Sequence, residues 1–198
     1  MYLIIDLEMS GSESDYHDIL QIGCVLADKN WKTMWEFESL VYPENPDSFS
    51  ADSEKIHGLS LSDLQDAPLI EDVLENLETG LRKALHRQPQ DSLRDLVICG
   101  QSVMNDINFL RQNYTEVHMN WPFSYKMFDL MSVTMLFERI WQNTGKPCPK
   151  SLSLKSVAAH FGIHREEEHH NALEDAKLTQ ACFKKYDELS KSLSWTTP

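Results

Sequence analysis

Short hydrophobic runs dominate the first part of the chain. The first run is apolar and ends at carboxylates and a Ser-Gly pair, which is typical of a buried strand that enters a turn. Two further runs have the same strand character, so that the three cover residues 2–6, 19–27 and 33–42. We predict a three-stranded antiparallel meander. The polar, Pro-containing stretch Pro43–Ser53 then predicts a loop that leaves the sheet.

Helical spacing of apolar residues begins after this loop. From Leu69 to about His86, leucine, isoleucine and valine recur at helical spacing behind Pro68, which suits a first helical turn. Leu96–Cys99 predicts a buried strand that stops at Gly100. The remaining predicted elements are a helix at 105–114, a strand end with a helix at 127–141, a loop at 143–150 and a helix at 152–161.

A final helix follows the charged segment 164–170. Its inward stripe consists of Ala172, Ala176, Thr179, Phe183 and Tyr186. Asp175 lies at the edge of this stripe, where a charge needs a partner. After about Ser190 the periodicity is lost, so we predict a single folded domain at 1–187 and a frayed tail at 188–198. Early strands followed by alternating helices and strands indicate an α/β fold with a mixed sheet covered by helices.

Composition and charge limit the classes of protein to which the chain can belong. The 198 residues, 41% of them hydrophobic, suit one core, and 18 basic against 31 acidic residues give a net charge of −13. This excess argues against a broad basic surface for long duplexes. Four scattered cysteines, Cys24, Cys99, Cys148 and Cys182, predict reduced thiols. With no signal-like or membrane-spanning stretch, we expect a soluble, cytoplasmic protein with no membrane partner.

The first strand ends in two acidic residues. Asp6 and Glu8 alternate with Leu7, so both carboxylates share one face of the strand. Two adjacent acids near a core repel each other unless a cation lies between them, and hard oxygen ligands favour Mg²⁺ or Mn²⁺. The alternative is a solvated turn, because this spacing is common.

Two more segments supply candidate ligands. Asp106 follows a buried strand and a glycine at the start of a helix, although it also suits a helix cap. His170 precedes Asp175 by five residues on the last helix. The alternative for His170 is a solvent-facing histidine among glutamates, and His169 competes with it for any role.

Together these residues form three motifs in order. They are Asp6-Leu7-Glu8-Met9-Ser10-Gly11, Asp106-Ile107-Asn108-Phe109-Leu110, and His170 through Ala176. The sequence resembles the DEDDh 3′→5′ exonucleases, a superfamily that includes polymerase proofreading subunits, RNase T and oligoribonuclease. The resemblance covers residues 2 to about 186 and implies a ribonuclease H-like fold with a mixed five-stranded sheet flanked by helices.

Different motifs of the sequence resemble different subclasses of this superfamily. Asp6-Leu7-Glu8-Met9 and Gly100–Val103 are similar to oligoribonucleases, whereas Lys55–Ser60 is similar to proofreading subunits. Proofreading-type members carry His-Asn before the second acid and an aromatic residue directly in front of it. Gln101-Ser102 and Asn105 depart from that pattern, which affects the expected substrate but not the metal site.

The resemblance implies a mechanism with two Mg²⁺ or Mn²⁺ ions. Asp6 would bridge both ions, Glu8 and Asp175 would complete the site of the nucleophile's ion, and Asp106 would support the second. His170 would act as general base.

The resemblance also implies substrate contacts and partners. The amide of Met9 would lie near the terminal 3′-hydroxyl, with His57 and Gln101 as further substrate contacts. The expected partners are 3′ ends of single-stranded or short nucleic acid. Two other functions stay open. One is an interaction subunit, for instance one that docks onto a polymerase through the tail around Trp195, and the other is a phosphoesterase acting on small molecules. A homodimer or a polymerase-associated subunit is the assembly to expect.

Overall fold

A five-stranded mixed sheet forms the centre of the computed structural model, which describes residues 1–164 and 170–193. The strand order is β3-β2-β1-β4-β5. Strands β1, β2 and β3 pair antiparallel, whereas β4 and β5 run parallel to β1. The strands are β1 (Tyr2–Met9), β2 (Ile19–Ala27), β3 (Thr33–Leu40), β4 (Val97–Gly100) and β5 (Met127–Asp129). The predicted meander and mixed sheet are confirmed.

Six helices surround this sheet in the described ranges. They are α1 (Ala51–His57), α2 (Ile70–Ala84), α3 (Met104–Glu116), α4 (Leu130–Thr144), α5 (Leu154–His160) and α6 (Ala172–Ser190). Each of the five predicted helical segments corresponds to one of them, and α1 is additional. The prediction of a loop over Pro43–Ser53 is wrong in part, because a short 3₁₀ turn forms at Pro46–Ser48 and α1 begins at Ala51. Local capping explains this helix, since Ser50 Oγ accepts from Asp52 N and Gly58 ends it with a φ of 71°.

Side-chain alternation along β1 divides the core into two layers. Leu3, Ile5 and Leu7 pack on one side with α2 and α3, whereas Ile4 packs on the other side with α4, α5 and α6. Because residues two apart on a strand share a face, Asp6 and Glu8 point to the side of Ile4 and α6. The amphipathic pattern of the sequence thus decides where the acidic pair lies.

The stripe predicted for the last helix is buried along its whole length. Helix α6 continues past residue 187 to Ser190, and Leu189 and Leu193 pack against the second core layer. The predicted tail residues 194–198, with Trp195, lie outside the described residues. The proposed domain boundary therefore stays a prediction.

All four cysteines are free thiols, and Cys24, Cys99 and Cys182 are buried. Burial raises the pKa of the Cys182 thiol to about 12, so it is protonated at neutral pH. Within residues 1–164 and 170–193, no helix has the length and hydropathy needed to cross a membrane.

Candidate active site

The two acids of β1 lie at the end of the central strand, on the face covered by α6. Glu8 is 6% exposed, and Asp6 is half-buried. The pairing with β2 is regular up to Glu8 and then shifts between Glu8 and Met9, which marks a bulge. Strand β2 therefore holds the acidic pair along its whole length before the chain turns away, whereas the pairing with β4 ends at Ile4.

Strand β2 provides the surface on which the start of α6 rests. Gly23 pairs with Asp6, and Gln21 pairs with Glu8. A Cβ on Gly23 would lie 2.1 Å from the carbonyl carbon of Ala172, so only glycine permits this approach. Gln21 Oε1 accepts a hydrogen bond of 3.0 Å from Ala172 N. The residues of β2 opposite Asp6 and Glu8 thus fix the first turn of α6 beside them.

Asn171 caps α6 and connects it to the sheet edge. Its Oδ1 accepts from Glu174 N at 3.0 Å, which satisfies a first-turn amide. Its Nδ2 donates to Glu38 Oε1 on β3 at 2.7 Å, and Gln21 Nε2 donates to the same oxygen at 2.9 Å. This network sets the position of the helix start relative to β2 and β3.

His170 and Asp175 form a pair next to Glu8. Asp175 is 2% exposed and lies 3.1 Å, through Oδ2, from His170 Nδ1. One ligand atom from each of Glu8, His170 and Asp175 lies within 4.8 Å of the others, which is close enough for a shared cation. The backbone of His170 is held as well, because its amide donates to Ile56 O of α1 at 3.1 Å.

Asp106 joins the site from α3. It is 6% exposed in the first helical turn, and its Oδ1 accepts from Leu7 N at 3.1 Å. Burial raises the pKa of the Asp106 carboxyl to about 7, although hydrogen bonds from its own amide and from Leu7 N act in the opposite direction. The negative charges of Glu8 and Asp129 raise it further. Crowded, buried carboxylates of this kind bind a cation favourably, because the cation removes their mutual repulsion.

Asp129 positions the loop that leads to Asp106. It ends β5, and its Oδ1 accepts from Val103 N at 3.1 Å while its Oδ2 accepts from Ser132 N at 2.9 Å. The loop itself is tight, with a φ of 55° at Ser102. One carboxylate therefore caps α4 and anchors the turn between β4 and α3.

The three predicted substrate contacts lie at the end of β1 (Met9), at the end of α1 (His57) and directly after β4 (Gln101). His57 is 4% exposed, and its Nδ1 accepts from Leu59 N at 3.0 Å, which places the ring proton on Nε2. In the described part of the chain this Nε2 has no hydrogen-bond partner. Burial lowers the pKa of His57, and nearby His170 adds to the effect against an opposing contribution from Glu54. Gln101 Nε2 donates to Leu152 O at 2.8 Å, and Met9 packs partly against the first core layer.

The structure brings Glu8, His170 and Asp175 together and holds Asp106 against the same strand. Whether His169 competes with His170 stays open, because His169 lies outside the described residues. Sequence reasoning missed the supporting residues Gly23, Gln21, Asn171 and Asp129. Two of them carry a readable signal: a glycine inside an apolar strand often marks a close backbone approach, and an Asx residue before a helix often caps it.

Comparison with known proteins agrees with the motifs. The profile of the exonuclease family, RNase T type, matches residues 3–183. This chain belongs to that exonuclease family. Among curated relatives of the exonuclease, the 3′-5′ exonuclease DinG of Staphylococcus saprophyticus is 25% identical over 198 residues, and DinG of Staphylococcus aureus is 24% identical over 195. Each match covers 95% of this chain but 19% of the relative, so the chain spans about a fifth of these proteins.

Solved structures share the fold of this exonuclease-family chain. The nuclease domain of 3′hExo, a DEDDh family member bound to rAMP, matches with a TM-score of 0.75 and 16% identity over 99% of this chain and 96% of that one. Exonuclease X in complex with 5′ overhanging duplex DNA matches with a TM-score of 0.66 and 19% identity, over 99% of this chain and 95% of that one. E. coli exonuclease I in complex with an oligonucleotide matches with a TM-score of 0.71 and 15% identity, over 96% of this chain and 43% of that one. The expected ribonuclease H-like fold and the DEDDh resemblance are confirmed.

Proposed function

We propose that this domain is a metal-dependent 3′→5′ exonuclease that releases nucleoside 5′-monophosphates from single-stranded DNA or short RNA. The observation that carries the proposal is the convergence of Glu8, His170 and Asp175, whose ligand atoms lie within 4.8 Å of one another. Asp106 is held to the same strand by the 3.1 Å bond from Leu7 N. The match of the exonuclease family to residues 3–183 supports a nuclease site here over an unrelated acidic cluster.

The donor set fits divalent cations. Carboxylate oxygens from Asp6, Glu8, Asp106 and Asp175 are hard ligands that suit Mg²⁺ or Mn²⁺, and four such charges match two ions. The raised pKa of Asp106 supports this fit, since a buried carboxyl that is costly to ionise alone is stabilised in its charged form by a cation. When bound, the ions supply Lewis acidity and positive charge beside a phosphodiester.

His170 is suited to remove a proton from the attacking water. With Asp175 Oδ2 at 3.1 Å from Nδ1, the carboxylate orients the ring and holds the proton on Nδ1, which leaves Nε2 as the acceptor. The side chain is 45% exposed, so its Nε2 is open to water and substrate. The hydrogen bond from the His170 amide to Ile56 O fixes the backbone from which the ring projects.

His57, Gln101 and the amide of Met9 are the proposed contacts to the terminal nucleotide. The Nε2 proton of buried His57 and the buried Oε1 of Gln101 lack protein partners in the described ranges, so each has hydrogen-bonding capacity that a substrate can use. The Nε2–H of His57 is a donor, which suits a phosphate or hydroxyl oxygen. The Oε1 of Gln101 is an acceptor, which suits a hydroxyl or the edge of a base.

A short single-stranded substrate fits the charge of the protein. A chain with a net charge of −13 is unfavourable for long duplexes, whereas cations at the site attract the terminal phosphates of a strand that engages only a few nucleotides. The neighbours solved with an oligonucleotide, with overhanging duplex DNA and with rAMP support this range of substrates. We place the activity in the cytoplasm, consistent with four free thiols.

The test incubates the purified protein with Mg²⁺ or Mn²⁺ and 5′-labelled oligonucleotides, single and double stranded, DNA and RNA, short and long. We expect ladders that shorten from the 3′ end, and no shortening with EDTA, with Asp6→Asn or with His170→Ala. An inert wild-type protein, or shortening that survives Asp6→Asn, would reject the proposed function. The ranking of substrates then distinguishes DNA from RNA and a nuclease from a phosphoesterase for small molecules.

A further inference from the structure

The charge of this acidic chain is distributed unevenly. Residues 139–164 contain no aspartate or glutamate, so all 31 acidic residues lie outside this stretch. The same stretch contains Arg139, Lys146, Lys150 and Lys155. A net charge of −13 therefore conceals one cationic region, and such regions attract phosphates over the range of a Debye length.

A groove opens in the middle of this region. It has a volume of about 630 Å³, and its polar lining consists of Lys150, Ser151, Ser153, Lys155, Ser156 and His160. We call it the lysine groove. None of the described residues that line it carries a carboxylate. Its walls thus offer ammonium groups and hydroxyls, the side chains that commonly contact phosphate oxygens of nucleic acids.

The two lysines of the groove are available for a ligand. Both are exposed, and neither has a carboxylate within salt-bridge distance among the residues that the structure describes. Some other lysines of the protein are paired: Lys177 contacts Glu36 and Glu174, and Lys191 contacts Asp187. Within residues 1–164 and 170–193, the lysine groove therefore keeps two positive charges that no carboxylate neutralises.

A direct contact joins the lysine groove to the candidate active site. Leu152 O, between the two lysines, accepts the 2.8 Å bond from Gln101 Nε2. Gln101 follows β4, whose parallel pairing with β1 ends at Ile4 and Cys99. The strands stay close for one more residue, since a Cβ on Gly100 would lie 2.9 Å from Ile5 O, and a continued register would bring Gln101 level with Asp6. Because each residue spans at most about 3.6 Å, the backbone of Lys150 lies within about 7 Å of Leu152.

We propose that the lysine groove binds the sugar-phosphate backbone of the strand that leads from the active site, on the 5′ side of the terminal nucleotide. This inference rests on the proposed exonuclease function and deepens it. Two lysines beside the acidic centre neutralise the first phosphates beyond the scissile one. They give an acidic protein a local path for a polyanion, and the short path restricts it to a few nucleotides.

The test compares two double variants with equal loss of charge. Lys150→Gln/Lys155→Gln removes the groove lysines, and Lys32→Gln/Lys184→Gln removes two lysines that line a separate cavity of about 490 Å³ beside Trp31. Binding of a labelled single strand of about ten nucleotides is measured by fluorescence anisotropy in EDTA at several salt concentrations. Cleavage of the same strand and of a dinucleotide is measured with Mn²⁺, and thermal melts verify that each variant is folded.

We expect the groove variant to bind the longer strand more weakly, with a slope of log Kd against log salt that is smaller by about 1.4, since each single-strand phosphate contact contributes about 0.7. This difference corresponds to roughly a sevenfold change in relative affinity between 50 and 200 mM salt. KM should rise for the longer strand but not for the dinucleotide. The control variant should keep the wild-type slope, and Lys150→Arg/Lys155→Arg should restore binding.

Three results would overturn the inference while the exonuclease function stands. They are an unchanged slope in the groove variant, an equal loss in the control variant, and an equal rise in KM for the dinucleotide. If the wild-type protein neither binds nor shortens any strand, the proposed function itself fails, which is a separate outcome visible before any variant is compared.

Discussion

Replacing Gly23 with alanine would place a methyl group where the backbone of α6 now lies. The added carbon would be 2.1 Å from the carbonyl carbon of Ala172 and 2.2 Å from Leu173 N. Because non-bonded carbon atoms prefer separations of about 3.5 Å or more, the first turn of α6 must move away from β2 by more than about 1 Å. Both contacts are backbone atoms, so no side-chain rotation relieves them.

The displacement carries Asp175 away from Asp6 and Glu8. A misplacement of about 1 Å in a catalytic constellation costs on the order of 100-fold in rate, so we expect kcat to fall by about that factor while KM changes little. Overpacking also destabilises the fold by roughly 1–3 kcal/mol. For a domain of this size each kcal/mol lowers Tm by about 2–4 °C, which keeps the variant folded at room temperature.

Oligonucleotide cleavage and a thermal melt measure these two effects. Calorimetric titration measures a third, a loss of Mn²⁺ affinity, which we expect because Asp175 moves away from the other proposed ligands. Gly80→Ala is a matched control. Gly80 lies on α2, on the opposite side of the sheet, and its added methyl group would be 2.3 Å from the ring of Trp35. This variant should lose stability without losing Mn²⁺ affinity. Wild-type kcat and Mn²⁺ affinity in Gly23→Ala, or equal losses in Gly80→Ala, would refute the role assigned to β2.

Three further predictions address single residues of the site. Asp106→Asn should stabilise the protein in EDTA at pH 8 by on the order of 2 kcal/mol. The folded pKa of about 7 exceeds the unfolded value of about 3.9, so the contribution of this carboxyl to stability is fully present below about pH 4 and is lost as pH rises through 7. Denaturant melts at pH 5 and 8 check this, and an equal effect at both pH values would contradict it. His170→Gln should lower kcat by about 10²–10⁴-fold while Mn²⁺ binding persists; cleavage at the wild-type rate would exclude His170 as the base. Asn171→Ala removes the bonds to Glu174 N and Glu38, so it should cost about 1–2 kcal/mol in a denaturant melt, whereas an unchanged midpoint would show that the cap is dispensable.

Local patterns were sufficient to predict much of this fold. The alternation around Asp6 and Glu8 placed both acids on one face, and the spacing of Ala172, Ala176 and Phe183 predicted the buried side of α6. These features depend on the periods of the strand and the helix, which a single segment of sequence contains. Helix α1 was missed although its caps are also local, because the surrounding proline and polar residues suggested a loop.

The contacts that assemble the candidate site were not predictable in the same way. The pairing of Gly23 with Asp6 and the approach of Ala172 depend on the register between β1 and β2 and on the docking of α6. The same holds for Asp129, whose bond to Val103 N joins two loops. Such relations are set by packing between distant segments, and composition or spacing within one segment does not encode them.

The order in which the site is built along the chain has a consequence during protein synthesis. The bond from Leu7 N to Asp106 spans 99 residues of sequence, and the bond from Ala172 N to Gln21 spans 151. During synthesis, the site carboxylates Asp6, Glu8 and Asp106 thus emerge long before His170 and Asp175. The central strand β1 cannot pack against α6 until that last described helix has been made. On the proposed function, we therefore expect a nascent chain that still lacks α6 to leave nucleic acid uncut, including the RNA of the ribosome that makes it.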